Sequence, residues 1–178
     1  MLRNTVFRRR YKSALPASTK FFFSTWAMKK KANGVYRARL VVRGFQKEDG
    51  EHYLSQFISS PVVNELTIRI VLNFLLLGRL FGWILDVNGA FLLGHFENGE
   101  RLYMKVPEGF EEFYGEDEVL ELMKTIYGLK QAAHAFWKEL LQCVEDIGFQ
   151  RSDVDPCLYF KRDTKGEWSL LLVGLMIC

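Results

Sequence analysis

The 178-residue chain predicts an α+β fold. Short strand-like segments bounded by turn residues are interleaved with two helix-like stretches, and no repeat relates them, which favours α+β over a doubly wound sheet. Hydrophobic residues make up 49% of the chain and aromatic residues 15%, enough for a packed core and too much for general disorder. The charge is segregated: residues 1–47 carry thirteen Lys or Arg and no Asp or Glu, while the remainder carries eleven basic and twenty-one acidic residues, for a net charge of +3. Such asymmetry points either to a polyanion contact in the first part or to a solvated basic surface.

Taken in order, residues 1–14 form a basic segment with no clear period, expected to be poorly ordered, and Leu15-Pro16 marks a break. Residues 26–31 and 35–45 flank Asn33-Gly34, the strongest short hairpin signal. On a two-residue period Arg37, Arg39, Val41 and Arg43 share one face, lining up three guanidinium groups. After Pro61, Asn64 is placed to cap a helix in which Leu66, Ile70, Phe74 and Leu77 recur about once per turn, with Gly78 and Gly82 bracketing its end. Residues 83–87 read as a short buried strand, Asn98-Gly99 as a turn, and residues 102–106 as another strand. Residues 131–147 read as a helix burying Ala132, Ala135, Phe136, Leu140, Cys143 and Ile147, with Gly148 at its C-cap. Residues 157–160 and 167–173 are the last strands expected.

Several function classes fall away. Cys143, Cys157 and Cys178 have neither metal-ligand spacing nor a disulfide framework, which fits a reducing compartment. The apolar run over residues 67–85 contains Arg69 and Arg79, both costly at a bilayer centre, and residues 170–178 are too few to span one; no membrane contact is expected. The first dozen residues are Arg-rich and acid-free, as transit peptides are, but the basic segment that follows favours the phosphate-contact reading. His52, His95 and His134 stand alone and read as surface or satisfied histidines.

Four blocks give the sequence its specificity: Tyr36-Arg-Ala-Arg-Leu-Val-Val-Arg-Gly-Phe45, Leu85-Asp-Val-Asn-Gly-Ala-Phe-Leu92, Leu102-Tyr-Met-Lys-Val-Pro-Glu-Gly-Phe110 and Ile126-Tyr-Gly-Leu-Lys-Gln-Ala-Ala133. A fifth, Asp155-Pro-Cys-Leu-Tyr159, leads into the last strand. In order and spacing these blocks resemble the reverse transcriptase domain of copia-type retrotransposons, from about residue 15 to residue 173. The resemblance implies the fingers and partial palm of a right-hand polymerase, with an antiparallel palm sheet packed on helices. Fingers would cover about residues 15–65 and part of 100–150, and palm about 66–98 and 150–178. It also implies a particle in the cytoplasm or nucleus, an RNA or DNA primer-template and dNTP as partners, and later polymerase and ribonuclease H regions that this chain lacks.

The chemistry so implied joins a primer 3′-hydroxyl to an α-phosphorus with two Mg²⁺ ions, hard cations that need carboxylate oxygens. Asp86 matches the first catalytic and metal-ligating aspartate, and the Val87 carbonyl would face the same metal. Gly89 and Ala90 would offer amides to the triphosphate, and Phe91 matches the aromatic gate that excludes a ribose 2′-hydroxyl. Its competing reading is a core phenylalanine. Arg37 and Arg39 are candidates for the incoming phosphates, because guanidinium pairs bidentately with phosphate oxygens. Lys130 and Gln131 match the block lying against nucleotide and template, with Gly128 permitting close backbone approach, while Tyr127 reads as packing. Ala133 stands where the family usually has Pro, and Asn88-Gly89 where it usually has Lys-Thr; neither removes a metal ligand.

The larger departure follows Glu167, after which the sequence contains no acidic residue. The family pattern has an aromatic, an apolar residue and two aspartates where this chain reads Val173-Gly-Leu-Met-Ile-Cys178. Those six residues can be encoded GTT GGG TTG ATG ATT TGT, and reading from the last base of the valine codon gives Trp-Val-Asp-Asp-Leu. A shifted frame is therefore expected to have erased the second acidic motif, with ordinary drift or a coincidence of a permissive code as the competing reading, leaving the chain inactive alone; the nucleotide sequence past codon 173 decides it. The alternative function is that of a non-enzymatic nucleic-acid-binding remnant, or of a decayed product without function.

Overall fold

The computed structural model describes residues 6–43, 60–97 and 99–174. His52, the Gly44-Phe45 end of the first block, Asn98 of the expected turn and the terminal residues 175–178 lie outside the described residues. The fold is α+β, with nine strands and two helices among the described residues, and it divides into two compact units.

The first unit comprises Met1–Ser59 and Gly89–Glu139. Its four-stranded sheet has the order β1 (Phe7–Tyr11), β6 (Glu118–Leu122), β5 (Leu102–Met104), β2 (Phe21–Phe22), and only the β2–β5 pairing is parallel. Within the basic segment 1–14, expected to be poorly ordered, Phe7–Tyr11 form β1, which pairs along its whole length with β6, while residues 1–5 lie outside the described residues. Arg10 Nε donates to the buried Glu121 carboxylate at 2.8 Å, Arg9 lies 3.7 Å from Glu118, and the Arg9 guanidinium covers the Tyr114 ring at 4.3 Å. Part of the N-terminal basic charge is thus matched by acidic residues more than a hundred positions later.

The hairpin expected at Asn33-Gly34 is formed by β3 (Ser24–Lys30) and β4 (Tyr36–Val42). Gly34 takes a φ of +82° and the Asn33 side chain accepts from the Val35 amide, so local turn chemistry sets the register. At the base of the ribbon Leu40 and Val42 are buried, together with Val6, Phe22, Leu102, Met104, Leu120, Leu122, Ile126, Leu129 and Ala132. These apolar side chains, contributed by Val6, by β2, β4, β5 and β6 and by residues 126–132, form its core, with Phe7 of β1 and Trp26 of β3 packed against it.

The second unit comprises Ser60–Asn88 and Leu140–Cys178. Helix α1 (Glu65–Leu77) begins where expected: Asn64 adopts an extended φ/ψ and its side chain accepts from the Leu66 amide at 2.9 Å, the standard N-cap geometry. The antiparallel order β7 (Gln150–Arg151), β8 (Leu158–Arg162), β9 (Trp168–Leu172) supplies the late strands predicted from sequence.

The expected buried strand at residues 83–87 is not formed. The segment has no ladder partner among the described residues, and Trp83, Ile84 and Leu85 are 90%, 100% and 81% exposed. An apolar run becomes a buried strand only where another strand satisfies its amides and carbonyls. Asp86 accordingly lies outside every described strand. Helix α1 likewise presents Leu66, Phe74, Leu76 and Leu77 to solvent.

Helix α2 (Ala132–Asp146) is present as predicted, and Gly148 terminates it with φ +89°. Its buried residues are Ala132, Ala135, Phe136 and Val144, whereas Cys143 and Ile147 are exposed. The stripe runs through positions 136 and 144, two turns apart, rather than through 143 and 147.

Candidate nucleotide-facing site

In the first unit three of the sequence blocks are held together by specific contacts. On β4, Arg37 and Arg39 share the face predicted for them, opposite Lys29 and Ala27 of β3. The Tyr127 carbonyl accepts from the Val42 amide at 2.9 Å, tying the Ile126–Gln131 block to β4. Gly128 allows this approach: its φ is +90°, and a Cβ there would overlap the Val42 carbonyl oxygen and lie 2.7 Å from Val41 Cγ1. The same block reaches the turn after Asn88 through Thr125, whose hydroxyl donates to the Phe91 carbonyl at 2.8 Å and whose amide donates to Gly94 at 2.9 Å.

The side chains follow the backbone. The Arg39 guanidinium lies 5.1 Å from the Tyr127 ring centroid, and that ring meets Phe91 edge-on at 5.3 Å. Tyr127, read from sequence as packing alone, is therefore the middle member of a row that joins two of the predicted site residues. The signal was its place inside the Ile126 block. Arg39 Nε is buried with no hydrogen-bond partner among the described residues, an arrangement that leaves a donor uncommitted. Phe91 packs against the hydrophobic core, so its core role is realised whatever else it does.

Gly89 adopts the left-handed φ of +69° that opens a single 3-10 turn over Ala90–Leu92. A Cβ on it would meet only Leu92 at 3.6 Å, so the dihedral, not space, calls for glycine. Lys130 is exposed. Gln131 is 6% exposed, and its Nε2 donates to both Glu100 oxygens at 3.1 and 3.0 Å, while its Oε1 is buried without a partner among the described residues. Glu100, not singled out from the sequence, fixes which way that amide points.

Asp86 and Val87 belong to the second unit and are exposed, on a segment without regular structure. Among the described residues no group of three or more His, Cys, Asp or Glu could hold a metal ion. The donors present do not fit the two-Mg²⁺ site that the family resemblance implies: one exposed carboxylate supplies too few oxygens for hard divalent cations. His95 is bonded to Glu139 at 2.8 Å and His134 lies 4.0 Å from Glu97, consistent with satisfied histidines. No described helix is long and apolar enough to cross a membrane.

The family described as reverse transcriptase (RNA-dependent DNA polymerase) matches residues 10–178. The chain belongs to the reverse transcriptase family. It is 35% identical over 164 residues to the retrovirus-related Pol polyprotein from transposon TNT 1-94 of Nicotiana tabacum, covering 89% of this chain and 12% of that protein. It is 37% identical over 149 residues to the Pol polyprotein from transposon RE2 of Arabidopsis thaliana, covering 81% of this chain and 10% of the relative. This reverse transcriptase chain thus spans about a tenth of the length of these relatives, and the copia-type resemblance stands with them. No solved structure matches.

The second unit's most constrained group is a carboxylate that sequence reasoning placed in a block but gave no role. Asp155 is 3% exposed, and its oxygens accept from the Asn64 amide at 3.1 Å and the Cys157 amide at 2.9 Å. Burial alone would push its pKa up, but hydrogen bonds from the Thr67 side chain and from the Cys157 and Asn64 amides outweigh it and hold the pKa below the ordinary value. Asp155 thereby fastens the N-terminus of α1 to the start of β8. It also raises the Cys157 thiol, whose pKa is pushed up first by burial and then by this neighbouring charge.

Proposed function

We propose that this chain is the fingers and part of the palm of a copia-type RNA-directed DNA polymerase, and that it keeps the phosphate-facing side of the nucleotide site without polymerising by itself. The observation that carries the reading is the Arg39–Tyr127–Phe91 row, which unites three family blocks around a buried arginine donor. In this reading Arg37 and Arg39 meet the incoming triphosphate, the Gly89 and Ala90 amides assist, and Phe91 limits the sugar. Lys130 faces nucleotide or template, and the partnerless Gln131 Oε1 is the atom that residue still has to offer. Asp86 and Val87 keep the positions of the first metal ligands. Val173–Cys178, where the family pattern places two aspartates, contains no carboxylate to share a metal with Asp86. Mg²⁺, where bound in the family, would stabilise attacking and leaving oxygens; no step through it is assigned to this chain. A particle in the cytoplasm or nucleus, with primer-template and dNTP as substrates, accompanies the polymerase reading.

The charge distribution also supports retained nucleic-acid binding without catalysis. The test is the affinity of the full chain, kept soluble by fusion to a carrier protein, for a labelled RNA template annealed to a DNA primer. Log affinity is expected to fall linearly with log salt, as phosphate contacts release counterions. Arg39→Ala should weaken binding of primed template plus dNTP about tenfold, the scale of one lost charge-assisted hydrogen bond. Absence of binding at low salt, or indifference to salt, would sink the reading.

A further inference from the structure

Thr125 is fully buried, yet its side chain is polar. A buried hydroxyl costs stability unless it is bonded, and this one is bonded to the turn that carries Phe91. The turn over Ala90–Leu92 makes two bonds of its own, from the Leu92 amide to the Gly89 carbonyl at 2.7 Å and from the Leu93 amide to the Ala90 carbonyl at 3.0 Å. The next carbonyl, that of Phe91, accepts from the Thr125 hydroxyl at 2.8 Å. The Gly94 carbonyl lies 3.3 Å from the same hydroxyl and accepts from the Thr125 amide at 2.9 Å. Gly94 fits because it has no side chain: a Cβ there would lie 2.7 Å from both the Thr125 hydroxyl oxygen and Ala135 Cβ, and 2.9 Å from the Phe136 amide nitrogen. The exit of the turn is thus wedged between Thr125 and the start of α2.

Two residues on, Tyr127 meets the Phe91 ring edge-on at 5.3 Å, and its carbonyl is bonded to the Val42 amide of β4. Thr125 therefore holds the main chain of Phe91 and Tyr127 its ring, while the strand that anchors this segment also carries Arg39. Residues 125–127 fix the spacing between the buried arginine and the aromatic ring. We propose that Thr125 is a positioning residue for the sugar. By fixing the Phe91 backbone it holds the ring where a ribose 2′-hydroxyl would fall, and so sets part of the choice of deoxyribonucleotides over ribonucleotides. The inference rests on the polymerase reading, in which Phe91 limits the sugar, and deepens it with a residue that acts through Phe91 rather than by touching substrate. A packing role would ask only for shape, which valine shares with threonine; the turn uses the hydroxyl.

The experiment uses the full chain on its carrier and a labelled RNA template annealed to a dideoxy-terminated DNA primer. It measures how far the next complementary dNTP, and separately the matching rNTP, tightens binding of that primed template. The parent is expected to favour the dNTP, and Phe91→Ala to lose the preference. Thr125→Val, which keeps the shape and loses the hydroxyl, should narrow the preference about fivefold, the scale of one net hydrogen bond. Thr125→Ala gives the same reading should the valine variant not fold. Thr125→Ser, which keeps the hydroxyl, should retain the preference of the parent. Thermal midpoints separate positioning from packing: serine lacks a buried methyl, so a packing role ranks valine above serine in stability and preference alike, whereas positioning ranks serine above valine in preference. Undiminished preference in Thr125→Val, or a loss in Thr125→Ser as large as in Thr125→Val, overturns the assignment and leaves the polymerase reading in place. If the parent itself does not favour the dNTP, the polymerase reading of the Phe91 turn falls, and the assignment with it.

Discussion

Replacing Gly128 by alanine is expected to destabilise the first unit by about 3–5 kcal/mol, the sum of left-handed backbone strain and overpacking at a site that cannot yield. The added methyl would overlap the Val42 carbonyl oxygen, a backbone atom in a paired strand, with φ already at +90°. Relief would require pulling the Ile126 block off β4, breaking the Val42-to-Tyr127 hydrogen bond and scattering the Arg39–Tyr127–Phe91 row. Gly34→Ala is the control: its φ is +82°, but nothing lies within 4 Å, so it carries the dihedral cost alone. For a chain of this size the first change should lower the thermal midpoint by roughly 10 °C, followed by circular dichroism, and the second by only a few degrees. Equal shifts for the two variants would show that the close approach of block to strand is not what Gly128 provides.

Asp155→Asn is expected to cost the second unit about 3 kcal/mol near neutral pH, because a buried acceptor of several hydrogen bonds is replaced by a group that turns a donor toward other donors. The Asn64 amide, the Cys157 amide and the Thr67 side chain would all be affected, loosening the start of α1 and of β8 together. The pH dependence has a definite sign. The folded pKa of Asp155 is lowered from 3.8, so its stabilisation is fully present above that value and is lost as pH falls through the folded one. Urea unfolding of the parent should therefore show stability declining below about pH 5, with part of that decline missing in Asp155→Asn. A constant difference between the two proteins from pH 7 down to pH 2 would rule out a charged Asp155 as the fastening group.

What could be read from the sequence was what is encoded locally. Asn33-Gly34 fixes a hairpin through the left-handed φ of Gly34 and the Asn33 side chain's bond from the Val35 amide, and Asn64 with its following leucines fixes the start of α1. The triad Arg37, Arg39, Val41 follows from strand period alone and is found on one face. Strand β1 escaped because its partner lies more than a hundred residues away and its Arg-rich sequence has no apolar alternation; Glu118 and Glu121 make it a strand. Residues 83–87 misled in the opposite sense, since hydrophobicity states a need for burial and not the means of it. Asp155 was visible as part of a block, yet its role depends on Asn64, ninety-one positions earlier. In the candidate site, Arg37, Arg39, Gly89, Phe91 and Gly128 were named from motif order. Tyr127 and Glu100 emerged only once rings and amides could be placed against one another.

In the proposed reading this reverse transcriptase chain retains a phosphate-facing surface, and no second carboxylate among residues 1–178 joins Asp86 on a metal. Primer extension tests it most directly, using an RNA template with an annealed DNA primer, all four dNTPs and either Mg²⁺ or Mn²⁺, at protein concentrations where the primed template is bound. Template is expected to be bound and no nucleotide added. Extension of the primer by the parent chain, abolished by Asp86→Asn, would contradict it.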